Sequence, residues 1–183
     1  VKMKFDLIRV LSNLYRKCLF YEKKDFNACG KNVLLNNDVY ISNPKKVEFI
    51  SNIYVGPNSR FFTEGGLLIK SGAVIGENVT ILTSNHYYDK EDLELAPFDE
   101  RNICGKVIIS ENTWIGSNTI ILPGVNLAKG CVVGAGSIVT KSFKENSIIA
   151  GNPAKIIKTR YNKLDNIPSW VEKKKKGNRY ILK

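Results

Sequence analysis

Six consecutive blocks of six residues, ISENTW, IGSNTI, ILPGVN, LAKGCV, VGAGSI and VTKSFK, run without a break from Ile109 to Lys144. Each block opens on an aliphatic residue: Ile109, Ile115, Ile121, Leu127, Val133 and Val139. The fifth positions hold Thr113, Thr119, Val125, Cys131, Ser137 and Phe143, mostly small or β-branched, and Gly or Asn recurs where the chain must turn. A short strand followed by a bend satisfies this pattern, with the leading aliphatic pointing inward and the fifth residue filling a corner. Such units cannot bury their apolar side alone, so they stack and share one continuous core. Three sixes close a triangular turn of eighteen residues, which gives this run two full coils and places Cys131 in the core. The fold class is therefore an all-β solenoid, a parallel β-helix.

The period extends upstream with a defect. From Val55 the sixes are VGPNSR and FFTEGG; after a slip of two residues beyond the latter come IKSGAV, IGENVT and ILTSNH, ending on His86. Residues 87–106, YYDKEDLELAPFDERNICGK, then interrupt the repeat and carry six acids (Asp89, Glu91, Asp92, Glu94, Asp99, Glu100) in a chain of net charge +11. An excursion of this length is unusual in a compact domain, and long loops are often functional.

Before the repeat, Leu7, Ile8, Leu11, Leu14, Tyr15, Cys18 and Leu19 follow helical spacing over residues 5–20, with a basic opposite face. Such a helix docks on the main body through its apolar stripe; its Lys4, Arg9, Arg16 and Lys17 also suit weak association with a membrane surface. The expected organisation is an amphipathic helical segment over 1–30, the β-helix domain over 31–160 with its protruding loop, and a basic C-terminal tail over 161–183. The Lys173–Lys176 run in that tail reads as a solvated stretch.

Composition sets the remaining bounds. With 43% hydrophobic and 25% charged residues in 183, the chain is ordinary globular protein rather than disordered or membrane-embedded. Charges through the first twenty residues leave no signal-peptide core or spanning segment. Cys18, Cys29, Cys104 and Cys131 show no C-x-x-C pairing, which favours free thiols, no metal site and a cytoplasmic setting. The excess positive charge suits polyanions in general, yet no nucleic-acid-binding motif accompanies it, so nucleic acid is not an expected partner.

The stretches NTWIGSNTIILPGV, VVGAGSIVTK and IIAGNPAKIIK, with the earlier sixes, make residues 53–160 resemble the hexapeptide-repeat acyltransferases. The likeness is to the galactoside, maltose and surface-polysaccharide O-acetyltransferases in particular. It implies a left-handed coil, which periodicity alone does not give, since parallel crossovers are generally right-handed. It also implies acetyl-CoA as acyl donor, no metal requirement, and a homotrimer whose active sites lie between neighbouring helices, walled by a loop like that of residues 87–106.

His86 is the only histidine in the chain, and it stands where the repeat gives way to the loop. Its position matches the family's catalytic histidine. Acyl transfer to a hydroxyl needs a base near neutrality, a task imidazole suits, and no Ser or Cys stands in a nucleophile arrangement, so transfer is expected to be direct. The resemblance further implies that Trp114 contacts the acyl and pantetheine end of the donor. It assigns Ser117, Gly134, Ala135 and Thr140 to a narrow pantetheine groove, and Lys141 and Lys158 to the nucleotide end, where cations suit phosphates. Trp114 is equally explained as an intersubunit packing residue, and the small residues as turn and corner residues.

On the acceptor side the match fails. RFFTEGG stands where galactoside-type enzymes carry an asparagine, and Glu64 and Asp89 are the candidate substrate-binding replacements. The expected activity is acetylation of a sugar hydroxyl in capsule, lipopolysaccharide or other surface-polysaccharide biosynthesis. N-acetylation of a nucleotide-linked amino sugar and a non-catalytic β-helix scaffold are the alternatives. A β-helical carbonic anhydrase is excluded, because it needs three histidine ligands and one is present.

Overall fold

The computed structural model describes residues 21–36, 38–88, 92, 100–160 and 180–181. The helix expected over residues 5–20, the candidate Asp89 and nearly all of the basic tail lie outside the described residues.

Twenty short strands build the described chain, most of them laid in three parallel sheets around a triangular axis. Sheet A stacks β1 (Ala28–Cys29), β4 (Val47–Phe49), β7 (Leu67–Ile69), β12 (Val107–Ile109) and β15 (Asn126–Leu127). Sheet B stacks β2 (Val33–Leu35), β5 (Ile53–Val55), β8 (Val74–Ile75), β13 (Trp114–Ile115), β16 (Val132–Val133) and β18 (Ser147–Ala150). Sheet C stacks β3 (Tyr40–Ile41), β6 (Arg60–Phe62), β9 (Thr80–Leu82), β14 (Ile120–Ile121) and β17 (Ile138–Val139). Two antiparallel strands close the edges of sheet B: β19 (Lys155–Thr159) on β18, and β20 (Tyr180–Ile181) on β2. The remaining pair, β10 (Ser84–His86) and β11 (Asn102–Cys104), forms an antiparallel base for the loop.

The coils are of two lengths. Ile109 pairs with Leu127 eighteen residues on, as the strict sixes require, whereas Phe49 pairs with Ile69 and Phe61 with Ile81, each twenty residues on. The extra two residues fall at the corner between sheets C and A. There the step from Ile41 to Phe49, or from Phe61 to Ile69, is eight residues instead of six. The two-residue slip visible near Leu67 is one instance of this, and the first coil, beginning at Ala28, precedes the sixes read from Val55. The long loop leaves from the same corner.

Every leader read from the sixes is buried: Ile109, Ile115, Ile121, Leu127 and Val139 are 0% exposed, and Val133 is 1%. The fifth-position residues Thr113, Thr119, Val125, Cys131, Ser137 and Phe143 are buried as well. Each fully buried large aliphatic contributes about 1.5–3 kcal/mol relative to exposure. The hydroxyls survive burial by bonding corner carbonyls: Thr119 Oγ1 donates to Gly116 O at 2.7 Å and Ser137 Oγ to Gly134 O at 2.6 Å. At the N-terminal end the rings of Tyr21, Phe26 and Phe49, tilted and edge-to-face against one another, close the core, and the Tyr21 hydroxyl accepts from Ile41 N and donates to Ile41 O.

The corners are made by left-handed residues in register. Asn32, Asn52, Gly72, Asn112, Gly130 and Asn146 each stand three residues before a sheet B leader with positive φ; Asp38, Asn58, Asn78, Asn118 and Gly136 do the same before sheet C. Asn is among the few non-glycine residues at ease in this region, and its amide can ladder between coils, as from Asn32 Nδ2 to Asn52 Oδ1 at 2.9 Å.

Candidate active site

The corner between sheets C and A carries the chemistry-bearing loop. Thr83, buried at the exit of β9, donates through Oγ1 to Phe62 O at 2.9 Å and accepts from Gly65 N at 2.7 Å, which fixes the point where the chain leaves the solenoid. Beyond it Ser84, Asn85 and His86 pair with Cys104, Ile103 and Asn102, so Ser84 and Cys104 root a two-stranded ribbon on the solenoid and His86 stands at its outer end. His86 is exposed, and among the described residues its imidazole has no hydrogen-bond partner; its backbone N–H donates to Asn85 Oδ1 at 3.1 Å.

Just past His86 the ribbon is clamped. Tyr87 donates from its hydroxyl to Asp92 Oδ1 at 3.0 Å, Arg101 Nη1 donates to Asp92 Oδ2 at 2.7 Å, and the Arg101 guanidinium lies 4.0 Å over the Tyr87 ring. The hydrogen bond from Arg101, with that from Tyr87, holds the Asp92 carboxyl below the usual carboxylate range. Sequence reasoning counted Asp92 among six loop acids without pairing it. Its partners Tyr87 and Arg101 stand on opposite arms of the loop, so the signal lay in those arms facing each other.

Glu64 sits on the same corner, in the coil before the loop, exposed and paired with Lys46 at 3.0 Å. Trp114, 54% exposed, projects outward from sheet B between Val74 and Val132. Ser117, Gly134 and Ala135 meet at the corner between sheets B and C, where Gly136 N donates to Ser117 O at 2.9 Å. Gly134 has a structural reason to be small: a Cβ there would stand 2.9 Å from Ala150 Cβ in the next coil. Thr140 and Lys141 are exposed just beyond β17, and Lys158 is exposed on β19 opposite Ile148. Between Ala150 and β19 the GNPA stretch forms a turn, with Gly151 at φ 101°. Arg160 is tied back to Gly130 O at 3.5 Å.

One chain therefore gathers the small residues at one corner and His86 with Glu64 at another. Each face is about six residues wide, so at about 3.3 Å per residue the corners are up to roughly 20 Å apart. Among the described residues no group of His, Cys, Asp and Glu is arranged to hold a metal ion, and no helix is long and apolar enough to cross a membrane.

A family model for the hexapeptide repeat of succinyl-transferase matches residues 106–141. The galactoside O-acetyltransferase of Lactococcus lactis is 33% identical over 144 residues, which cover 78% of this chain and 67% of that protein. The Escherichia coli protein WcaF, named for colanic acid biosynthesis as an acetyltransferase, is 29% identical over 147 residues, covering 80% of this chain and 77% of WcaF. A solved galactoside acetyltransferase in complex with coenzyme A superposes with a TM-score of 0.61 at 28% identity, over 68% of this chain and 64% of that one. The stacked-coil fold and the shared sequence agree, and the chain belongs to the hexapeptide-repeat acyltransferase family.

Proposed function

We propose that this protein is an acetyl-CoA-dependent O-acetyltransferase that acetylates a sugar hydroxyl in the biosynthesis of a surface polysaccharide, with His86 as general base. The observation that carries the reading is the placement of the chain's only histidine, exposed beside the clamp at the outer end of the short ribbon that breaks the repeat. The names of the Lactococcus relative and of WcaF support a sugar acceptor and a polysaccharide route.

The residues present fit the donor. Lys141 and Lys158 are exposed cations suited to its phosphates, and the exposed indole of Trp114 suits an apolar arm. Acetyl-CoA supplies an activated thioester. His86 accepts the proton of the acceptor hydroxyl as its oxygen bonds to the acyl carbon and the carbon–sulfur bond breaks, then returns that proton to the departing thiolate. The family-matched groove residues Ser117, Gly134, Ala135 and Thr140 line the donor's path.

Assembly as a homotrimer with sites between neighbouring helices is what the family resemblance implies, and the separation of the small-residue corner from the His86 corner suits it. The outward-facing Tyr54, Val74, Val132 and Ile148 on sheet B would give such an assembly an apolar surface. A cytoplasmic setting suits the exposed, unpaired thiol of Cys104.

The test is thiol release from acetyl-CoA by the purified chain against neutral sugars, nucleotide-linked amino sugars and oligosaccharides, beside a thermal shift with acetyl-CoA. Turnover with hydroxyl acceptors supports the reading. Turnover only with amino sugars makes it an N-acetyltransferase. Neither turnover nor stabilisation at millimolar acetyl-CoA makes it a scaffold.

A further inference from the structure

We propose that Tyr40, Arg60 and Phe62 form the acceptor subsite and that the acceptor is a sugar bearing a negative group; this rests on the acetyltransfer reading above. The three lie on the outward side of sheet C in the coils just before the loop. Tyr40 is in register with Arg60, and Phe62 with Leu82. The Tyr40 and Phe62 rings pair at 5.8 Å between centroids with 59° between planes, yet are 45% and 37% exposed. Aromatics that serve packing in this fold are hidden: Phe26, Phe49 and Phe61 are 4%, 0% and 0% exposed. A ring pair left open to solvent offers an apolar platform, two inclined ring faces of the kind on which the C–H face of a pyranose packs.

The platform is continuous with the candidate base. Phe62 O accepts both the backbone N–H and the Oγ1 hydroxyl of Thr83, each at 2.9 Å, and His86 is three residues further along, about 10 Å of extended chain. A sugar on the rings therefore lies within reach of the imidazole.

Charge selects the ligand. Lys46 pairs with Glu64 at 3.0 Å and neutralises the nearby carboxylate. Arg60 is exposed and makes no ion pair among the described residues, and its register neighbours Tyr40 and Thr80 are uncharged. An uncompensated guanidinium beside two rings presents planar paired donors that match a carboxylate or phosphate. The shared chemistry is thus a pyranose with an anion on it, supplied either by a phosphorylated or nucleotide-linked sugar or by a uronic acid.

The experiment titrates glucose, glucose 1-phosphate and glucuronic acid into the CoA-saturated 183-residue chain, its Arg60→Gln variant and its Phe62→Leu variant, following binding by calorimetry and mass by sedimentation. At least one anionic sugar should bind roughly tenfold more tightly than glucose, as one charge-assisted contact provides. Which of the two does so separates phosphate from carboxylate. Arg60→Gln should abolish that preference, and Phe62→Leu should weaken all three sugars, with CoA affinity and assembly mass unchanged. Equal binding of glucose, binding of no sugar, or a preference that survives Arg60→Gln overturns the proposal. So does a fall in mass in Phe62→Leu, which would make the face a contact between copies. Turnover of neutral acceptors that is indifferent to Arg60→Gln would leave the acetyltransfer reading standing and remove only this one.

Discussion

Two glycines at the same corner in successive coils separate the costs that build this solenoid. Gly136 sits at φ 71°, and a Cβ added there meets nothing within 4 Å; Gly116 lies outside the left-handed region, but a Cβ there would stand 2.6 Å from Ala135 N and 2.9 Å from Ala135 Cα. Gly136→Ala thus tests conformation alone, at about 1–2 kcal/mol, less the roughly 0.4–1 kcal/mol by which alanine restrains the unfolded chain. The net loss is about 0.5–1 kcal/mol. Gly116→Ala tests close approach alone. Ordinary contact begins near 3.4 Å, so backbone in the next coil must yield by several tenths of an ångström while Gly116 N remains bonded to Val133 O at 2.8 Å. Overpacking of this kind costs about 1–3 kcal/mol, and weakening a ladder hydrogen bond adds about 1 kcal/mol; less the same unfolded-state gain, the net loss is about 1.5–3 kcal/mol. For a chain of this size the midpoint should fall by about 1–4 °C in Gly136→Ala and about 3–12 °C in Gly116→Ala. Thermal melts at matched protein concentration and scan rate measure both. A larger loss in Gly136→Ala than in Gly116→Ala would refute the claim that coil-to-coil approach sets these positions.

Three further outcomes follow from single contacts. Iodoacetamide should label exposed Cys104 in the native protein. Cys131 should label only on unfolding, because burial hides it and pushes its thiol up; equal native labelling by peptide mass spectrometry would contradict the packing. Since Asp92 has a lowered folded pKa, its clamp contributes fully above the ordinary carboxylate value of 3.8 and is lost as pH falls through the folded value. Hydrogen exchange of the Asn102–Cys104 amides should therefore be closed-state limited alike at pH 5 and pH 7 once corrected for intrinsic rates, and faster in Asp92→Asn, with unchanged protection in that variant counting against the clamp. Trp114→Ala should raise the KM for acetyl-CoA by roughly threefold to tenfold without altering assembly mass, and a loss of the assembly instead would assign the indole to packing.

The regular half of the fold was legible because the six-residue spacing is strict there. From Ile109 to Val139 every leader stands where the coil requires it, and even Cys131 declared itself core. The earlier coils hid because two added residues at the corner between sheets C and A break the phase, so that Ile41 and Phe49 do not look like successive leaders. His86 was legible by position, as the residue at which the repeat stops. The clamp of Tyr87, Asp92 and Arg101 was not, since antiparallel pairing of Ser84–His86 with Asn102–Cys104 depends on contacts across an aperiodic segment. Glu64 reads in sequence as a free carboxylate near the site; the structure pairs it with Lys46, a residue brought beside it only by stacking. The exposed pair of Tyr40 and Phe62 likewise needs the twenty-residue coil to be seen as neighbours at all.

The central claim rests on one imidazole. His86→Ala, made in the 183-residue chain and assayed by thiol release from acetyl-CoA with an accepted sugar, should keep the melting midpoint and donor affinity while kcat falls on the order of a hundredfold or more. Near-normal turnover by the folded variant would contradict the account.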